Sequence, residues 1–206
     1  PNNCDAKHNL TTVTSAQVNN CQPGPNLTTV TPDLIRGPSP PQFMQLSALT
    51  LASLPAAIQT PTYDRTTGAP GVVHLGLGAF HRAHQAMVFD QLLASGDTRW
   101  GIHGVGMTRP DLVNQLKAQD GLYAVRIADA NGVKWQVPGA LWRMNVAATE
   151  RDAVVQAIAA PSTRWVTLTV TEKGYTPALG QLLLDGLRLR QQAGLPGLTI
   201  ASCDNL

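Results

Sequence analysis

The residues best suited to chemistry stand in four short segments, each directly after an apolar run of the chain. They are Gly76–His84, Met107–Pro110, Thr171–Tyr175 and Asp204–Leu206. These segments supply glycine, hydroxyl, amide or charged groups, which bind phosphates and polarise a substrate oxygen. If the apolar runs are parallel strands, their carboxyl ends bring the four segments to one edge of a sheet, where α/β proteins bind ligands.

The first segment places two glycines, Gly76 and Gly78, between an apolar run and a stretch with helical periodicity. Strand, glycine turn and helix form the arrangement that holds a dinucleotide pyrophosphate, because the first N–H groups of the helix face the phosphates. The third glycine of the usual fingerprint is missing, since His81 occupies its position. The pattern alone therefore predicts either a dinucleotide site or a tight turn without a ligand.

Two histidines, His81 and His84, lie three residues apart on the predicted helix. A metal pair is conceivable there, but no third ligand with suitable spacing is visible, so we expect no metal. His81 and Arg82 are expected at the start of the helix, where they contact phosphate or neighbouring loops. Packing and capping are the alternative roles.

The residue that would bind an adenosine ribose is not fixed by the pattern. A count of about 20 residues from Gly76 reaches Asp97, but Asp97 precedes the second predicted strand and is interpreted as a loop residue. The end of that strand offers Arg109, which would favour a 2′-phosphate, and Asp111, which would accept bonds from ribose hydroxyls. The choice between these two ligands stays open.

Composition excludes several classes of function. The chain has 206 residues, 14% of them charged, and a net charge of +2, which is too little asymmetry to indicate a nucleic-acid or membrane surface. No apolar run approaches the roughly 18–20 residues that span a bilayer, and no secretory leader is evident. Cys4, Cys21 and Cys203 are widely spaced and odd in number, which indicates no disulfide framework and favours a reducing, cytoplasmic setting.

Strand and helix patterns alternate from Gly71 onward. Apolar, β-branched runs predict strands at 72–76, 100–107, 165–170 and 198–203. Helical periodicity predicts helices at 80–94, 111–118, 151–158 and 179–192, the third capped by Thr149. Asn131-Gly132 predicts a hairpin between 122–127 and 134–137. The alternation predicts an α/β fold, a doubly wound and mainly parallel sheet.

The N-terminal 68 residues differ from the rest and contain an imperfect tandem repeat, in which Asn9–Thr14 recurs as Asn26–Thr31. We expect residues 1–45 to be disordered or translated from upstream of the true start, with a repeat-based binding arm as the alternative. Residues 46–58 could form a short helix. The expected division is an extension at 1–68 and an incomplete nucleotide-binding domain at 69–206.

Taken together, these segments resemble the mannitol dehydrogenase / hexuronate reductase family of polyol-specific long-chain dehydrogenases. Val73–Gln85 resembles the nucleotide-binding signature of that family. Trp100–Ile102, Leu168–Tyr175 and the stretch from Leu187 to Asn205 match in the same order, so the resemblance covers roughly two-thirds of the chain.

The resemblance implies a Rossmann-like domain of an oxidoreductase that uses NAD, with NADP possible. The implied reaction interconverts a secondary alcohol of a linear polyol or aldonate with the ketose or keto-uronate; no metal, nucleic acid or membrane takes part. The cofactor-binding residues carried over from the family are Val73, His74, Leu75, Gly76, Leu77, Gly78, Ala79, Phe80, His81, Arg82, Ala83, His84, Thr171 and Glu172.

Two further residues acquire roles through the resemblance. Asn205 matches a catalytic asparagine that helps to form an oxyanion hole, and Lys173 is expected to face a substrate carboxylate, which favours fructuronate over mannitol as substrate. In this family the lysine that acts as general base belongs to a helical C-terminal domain, which these residues do not include, and the stretch between Tyr175 and Leu183 is shorter than in many relatives. We therefore expect the chain alone to be inactive; a non-catalytic nucleotide-binding fragment or gene remnant is the alternative.

Overall fold

The computed structural model describes residues 14–15, 45–130 and 132–204. The strands of these residues are β1 (Thr14–Ser15), β2 (Ile58–Gln59), β3 (Val72–Leu75), β4 (Ile102–Gly106), β5 (Val125–Asp129), β6 (Gly132–Gln136), β7 (Leu141–Val146), β8 (Trp165–Leu168) and β9 (Thr199–Ser202). The α-helices are α1 (Ala86–Ala94), α2 (Asp111–Ala118), α3 (Arg151–Ala159) and α4 (Pro177–Gln192). A π-helical turn, His81–Gln85, precedes α1, and single 3-10 turns form at Leu51–Ser53, Thr98–Trp100 and Glu172–Gly174.

The main sheet has the strand order β7-β4-β3-β8-β9, and every neighbouring pair in it is parallel. The chain moves outward from β3 through β4 to β7, then returns to β8 on the other side of β3 and continues to β9. This is the strand order of a doubly wound α/β fold, whose ligands bind where the order reverses. The predicted Rossmann-like fold is confirmed, and the reversal point lies between the carboxyl ends of β3 and β8.

The central strands of the sheet are buried on both faces. Val72 of β3 packs in a core with Phe89 of α1 and the buried residues of α2, whereas Val73 packs on the opposite face with Ile158 of α3 and the buried residues of α4. Consecutive strand residues point to opposite faces, so a strand covered on both sides is apolar throughout. This burial explains why β3 was predictable as an uninterrupted apolar run.

A second sheet, in the order β1-β5-β6-β2, flanks the main one. Its centre is the antiparallel hairpin of β5 and β6, in which Val125 pairs with Gln136. The predicted hairpin is confirmed, although its first strand begins at Val125 and not at Leu122. Asn131 of the expected turn lies outside the described residues.

The β7–α3 region of the structure differs from the sequence-based prediction in two ways. β7 was not predicted, because its buried residues Leu141, Met144 and Val146 are interrupted by more exposed ones and show no regular alternation. The predicted Thr149 cap is absent: the Glu150 carboxylate instead accepts a hydrogen bond from the Val146 N–H at 2.7 Å, joining α3 to β7.

Residues 45–68, which the sequence places in the extension, contact the sheet domain. The Tyr63 hydroxyl donates to the buried Asp90 carboxylate of α1, and the Arg65 guanidinium donates to the carbonyl oxygens of Gly139 at 2.8 Å and Leu141 at 3.1 Å. The short helix considered for 46–58 is limited to one 3-10 turn. The disorder and repeat-arm hypotheses for the N-terminus concern residues that, apart from 14–15, lie outside the described ranges.

Candidate functional site

The glycine turn after β3 is shaped by close contact with β8. Gly76 has φ +102°, and a Cβ built on it would lie 2.3 Å from the Thr169 carbonyl oxygen. The Thr169 hydroxyl donates to the Gly76 carbonyl oxygen at 2.8 Å. A side chain at Gly76 would therefore meet both backbone strain and a steric clash. The turn depends on glycine at this position because the two strands approach so closely.

The helix that follows starts immediately after Gly78. The Gly78 carbonyl accepts a hydrogen bond from the Arg82 N–H at 3.2 Å. Within the described residues, the N–H groups of Ala79 and Phe80 have no backbone carbonyl acceptor, as expected of the first turn of a helix. A Cβ at Gly78 would have only the Gly76 carbonyl oxygen, at 3.7 Å, for a neighbour. The turn thus presents open backbone N–H groups beside a glycine with free space.

Two clefts open at the carboxyl edge of the sheet. The first, which we call the Asp204 cleft, has a volume of about 610 Å³ and is lined by Gly78, Ala79, Phe80, Thr169, Thr171, Glu172, Cys203 and Asp204. The second, the Thr108 cleft, has a volume of about 460 Å³ and is lined by Met107, Thr108, Ala147, Ala148, Arg151, Val170, Thr171, Lys173, Gly174, Thr176, Ala178, Leu179 and Leu182. Thr171 lines both clefts, so they meet at the end of β8, where the strand order reverses.

Thr171 is held by the segment that follows β9. Its N–H donates to Asp204 Oδ1 at 3.0 Å, and the Tyr175 hydroxyl donates to Asp204 Oδ2 at 2.6 Å. Thr171 has φ +62°, an unfavourable value for a β-branched residue. The two hydrogen bonds offset part of the cost of this conformation, so Asp204 fixes the backbone at the junction of the clefts.

A buried polar network lies beneath the glycine turn. Nδ1 of His74 lies 2.8 Å from the Thr167 hydroxyl, and its Nε2 lies 2.9 Å from the Thr169 hydroxyl. The imidazole of His81 stacks on that of His74, and Nδ1 of His81 lies 2.8 Å from Oε1 of Gln85. The Gln85 amide in turn donates to Sγ of Cys203 at 3.3 Å. The network connects the glycine turn to the end of β9.

Both histidines of this network are uncharged at neutral pH. Burial lowers the pKa of His74 to about 4, because a buried imidazolium would lose its hydration. Burial, together with the neighbouring His74, also lowers the pKa of His81 well below its ordinary value. Nε2 of His81 is buried without a hydrogen-bond partner among the described residues. A proton on either ring would therefore be unfavourable in the folded state.

The structure divides the residues that were predicted to bind the cofactor. Gly78, Ala79, Phe80, Thr171 and Glu172 line the Asp204 cleft. Core positions are taken by Val73, His74, Leu75 and His81, whose side chains have 0% exposure, and by Leu77 at 4%. These core side chains support the turn and line neither cleft. The assignment of these residues to cofactor binding stays a prediction.

The remaining residues of the signature point elsewhere. The Arg82 guanidinium donates to the Leu77 carbonyl oxygen at 3.3 Å and lies over the Tyr123 ring at 5.9 Å. Ala83 is half-buried, and the ring of His84 is exposed, 4.7 Å from that of Phe80. Because His81 is buried and His84 is exposed, the two imidazoles do not form a metal-binding pair. The described residues contain no cluster of three or more side chains able to hold a metal ion.

Two charged residues of one 3-10 turn face different clefts. Glu172 lines the Asp204 cleft, whereas Lys173 lines the Thr108 cleft, on the other side of Thr171. A role for Lys173 at a substrate carboxylate stays a prediction. Asn205, the predicted catalytic residue, lies outside the described residues. It follows Asp204 directly in the sequence.

The acidic candidates for ribose binding do not line either cleft. Asp97 caps the 3-10 turn before β4, where it pairs with Arg99 and accepts from Nε1 of Trp100 at 2.7 Å. It therefore lies at the amino end of β4, as its interpretation as a loop residue predicts. Asp111 begins α2. No helix of the described residues is both long and apolar enough to cross a membrane.

Sequence reasoning missed several residues that shape the site. Thr167 and Thr169 alternate with the aliphatic residues Val166, Leu168 and Val170 in the sequence, and this period of two could have marked them as one face of the strand. Gln85 and Tyr175 lie within segments that the sequence singled out, but their contacts with Cys203 and Ser202 gave no signal, because these partners lie at the end of β9, more than 25 residues away in the chain. Contacts over such separations follow from the fold and not from local spacing.

Comparison with known proteins identifies relatives of the chain. A family model described as the mannitol dehydrogenase Rossmann domain matches residues 70–206. A mannitol 2-dehydrogenase of Cereibacter sphaeroides is 35% identical over 178 residues, a match that covers 73% of this chain and 37% of that protein. A D-mannonate oxidoreductase of Escherichia coli K12 is 33% identical over 190 residues, covering 78% of this chain and 39% of that protein.

A solved structure matches in fold as well as in sequence. The mannitol 2-dehydrogenase of Pseudomonas fluorescens, in a ternary complex with NAD and D-mannitol, has a TM-score of 0.73 and 30% identity, covering 79% of this chain and 39% of that one. The chain spans less than two-fifths of the length of these three relatives.

Proposed function

We propose, because this chain belongs to the mannitol dehydrogenase family, that it forms the NAD(P)-binding part of an oxidoreductase acting on a secondary alcohol. The substrate would be a linear sugar alcohol or sugar acid, and the product the matching ketone. One observation carries the proposal: the turn of Gly76 and Gly78 lies at the reversal point of the sheet, and Gly78 lines the Asp204 cleft, which meets the Thr108 cleft at Thr171.

The residues of the turn fit a pyrophosphate. Gly78 leaves the space that a Cβ would fill, and the N–H groups of Ala79 and Phe80 are free to donate. The dipole of the helix that they begin favours negative charge at this end. The chain therefore provides backbone donors, close approach and a favourable field at one place.

The two clefts differ in a way that suits the two ends of a dinucleotide. The Thr108 cleft has many apolar side chains, including Met107, Val170 and Leu182, which suit a purine ring. The Asp204 cleft offers polar groups such as Glu172 and Asp204 and leads to Asn205 in the chain. When bound there, the nicotinamide ring accepts the hydride that leaves the alcohol carbon.

The residues near the Asp204 cleft would orient the reacting groups. Asp204 fixes the Thr171 backbone, and the next residue, Asn205, would donate a hydrogen bond to the oxygen on which charge develops. Lys173 lines the other cleft, so its position lends no support to the expected preference for a hexuronate. We therefore extend the proposal to linear polyols and aldonates alike, with fructuronate and mannitol as the first substrates to test.

Equilibrium titration of the 206-residue chain with NAD⁺ and NADP⁺, followed by calorimetry, tests the proposal. We expect saturable binding of at least one dinucleotide, competed by adenosine nucleotides. A folded chain that binds neither dinucleotide at millimolar concentration would contradict it.

The resemblance assigns proton transfer to a lysine in a helical domain that these 206 residues do not include. We therefore expect binding by the chain alone without turnover of D-mannitol or fructuronate, measured as a change in the absorbance of the reduced nicotinamide. Measurable turnover would contradict the expected inactivity of the chain alone, but it would not contradict the proposed dinucleotide binding.

A further inference from the structure

The Thr108 cleft carries cations and no carboxylate. Its lining includes the side chains of Arg151 and Lys173 beside the hydroxyl of Thr108, and no Asp or Glu is among the described residues that line it. Arg151 forms an ion pair with Asp185 of α4, so part of its charge is already neutralised. Lys173 is exposed and has no ion pair with any described side chain. Lys173 is therefore the cation of this cleft that a ligand meets unpaired.

The position of the cleft decides which part of a dinucleotide meets this charge. In doubly wound domains, the residues that follow the second strand read the adenosine ribose: a carboxylate accepts from the 2′-hydroxyl, and a cation accommodates a 2′-phosphate. Within the main sheet β3 is the first strand in the chain and β4 is the second, and Met107 and Thr108 follow β4 directly. Both residues line the same cleft as Lys173. A ribose bound there would find a hydroxyl and an ammonium group but no carboxylate.

Asp111, the first acid after Thr108 in the sequence, belongs to the opposite face of the sheet. It opens α2, whose buried residues Val113 and Leu116 pack in the core with α1. The Thr108 cleft is lined by residues of α3 and α4, which cover the other face. Asp111 is absent from the described lining, so it does not supply the acceptor that a free ribose diol would need.

We propose that the Thr108 cleft binds the 2′-phosphate of NADP, with the Thr108 hydroxyl donating a hydrogen bond and Lys173 supplying the charge. The inference rests on the proposed dinucleotide function and specifies which cofactor the chain selects. A phosphate in water-exposed surroundings gains from a cation without the cost of burying it. NAD lacks the phosphate and would leave both groups without a partner.

Binding of two fragments that differ only in the 2′-phosphate isolates this contact. Calorimetric titration of the 206-residue chain with 2′,5′-ADP and with 5′-AMP should give an affinity about tenfold higher for 2′,5′-ADP at low salt, the gain expected of one charge-assisted contact. NADP⁺ and NAD⁺ should differ in the same direction. Because the contact is ionic and exposed, the difference should shrink at high ionic strength.

Three variants assign the effect to Lys173. Lys173→Gln should remove the preference for 2′,5′-ADP, and Lys173→Arg should retain most of it. Lys134→Gln removes an exposed lysine of β6, which belongs to the second sheet and lines neither cleft, and serves as the matched control that leaves the preference unchanged. Both positions are exposed, so the three variants should fold, which far-ultraviolet circular dichroism verifies.

Each outcome is informative. Equal or tighter binding of NAD⁺ and 5′-AMP, or a preference that survives Lys173→Gln, would overturn this inference while leaving the proposed function standing. Binding of none of the four nucleotides by the folded chain would overturn the proposed function and this inference together.

Discussion

The imidazole rings of His74 and His81 stack face to face, with centroids 3.4 Å apart and planes inclined by 10°. One ring comes from β3 and the other from the first turn of the helix after the glycines. Both rings are fully buried, so burial holds both uncharged. The stack is favourable as long as both imidazoles are neutral, so the stability of the folded state depends on pH.

We expect the free energy of unfolding to fall as the pH drops from about 6.5 towards 4. The pKa of His74 is about 4 in the folded chain and about 6.5 in an unfolded one, so between these values the unfolded state binds more protons. The contribution of the uncharged histidine to the free energy of unfolding is complete above pH 6.5. As the pH falls below that value, each such histidine loses up to about 1.4 kcal/mol of this contribution per pH unit. Urea unfolding at several pH values between 7.5 and 5 measures the slope.

A variant pair assigns this pH dependence. His74→Gln should reduce the slope, whereas His84→Gln, which changes an exposed imidazole of the same segment, should leave it unchanged. Equal stability of the unsubstituted chain at pH 7.5 and pH 5 would rule out the explanation.

Three glycine-to-alanine changes should separate folding from binding. Gly76→Ala forces a Cβ against the Thr169 carbonyl oxygen at φ +102°, so we expect a loss of more than about 2 kcal/mol in unfolding free energy. Gly78→Ala has room in the folded chain, so its stability should change little, while dinucleotide affinity falls because the methyl group enters the cleft. Calorimetric binding and thermal unfolding of each variant test the separation.

The control for this series is Gly180→Ala, on the exposed surface of α4, where an added Cβ meets no other atom within 4 Å. It should stabilise the chain by up to about 1 kcal/mol and leave binding unchanged. A Gly78→Ala chain that binds dinucleotide as tightly as the unsubstituted chain would contradict the assigned role of the turn.

Removing the Asp204 carboxylate should loosen Thr171 without unfolding the domain. Asp204→Ala deletes the acceptor of the Thr171 N–H and of the Tyr175 hydroxyl. We expect hydrogen exchange of the Thr171 amide to quicken by about tenfold, the effect of losing one such hydrogen bond. Tyr175→Phe keeps the bond to Thr171 and should have a smaller effect. Unchanged exchange in Asp204→Ala would contradict the link between the two segments.

A matched pair of tyrosine changes tests whether the segment before β3 belongs to the stable core. Tyr63→Phe removes a donor to the buried Asp90, so we expect a loss of about 1–2 kcal/mol in unfolding free energy. Tyr175→Phe alters a ring that is 47% exposed and should cost less than about 0.5 kcal/mol. Chemical denaturation of both variants measures the difference. A cost below about 0.5 kcal/mol for Tyr63→Phe would mean that the Tyr63 contact adds little to stability.

The sequence predicted the strands that are buried on both sides. β3 and β8 are apolar runs because helices cover both faces of the sheet, and the resulting alternation with helices led directly to the fold class. The sequence pattern did not predict β7, because this strand lies at the edge of the sheet and mixes buried and exposed residues. What defines β7 as a strand is its pairing with β4, which no local pattern contains.

The sequence predicted where the candidate site lies in the fold, but it did not predict the contacts between the residues of that site. The glycine turn and Thr171 follow from the rule that ligands bind at the carboxyl ends of parallel strands. The π-helical turn at His81–Gln85 holds more residues than an α-helical turn, and a period of 3.6 does not reveal it. The stacking of His81 on His74 depends on tertiary packing. For the same reason, the cleft faced by Lys173 became evident only from the fold.

Thr171 is shared by both clefts, and this has a consequence for the way affinities combine. A ligand that fills both clefts contacts one backbone unit from two sides, so the free energies of its two halves are not independent. Changes at Thr108 and at Asp204, although they lie in different clefts, should therefore show a measurable coupling energy in a double-mutant cycle. The binding free energies of separate fragments in the two clefts would therefore not add up to that of the whole molecule, because both fragments contact the same Thr171.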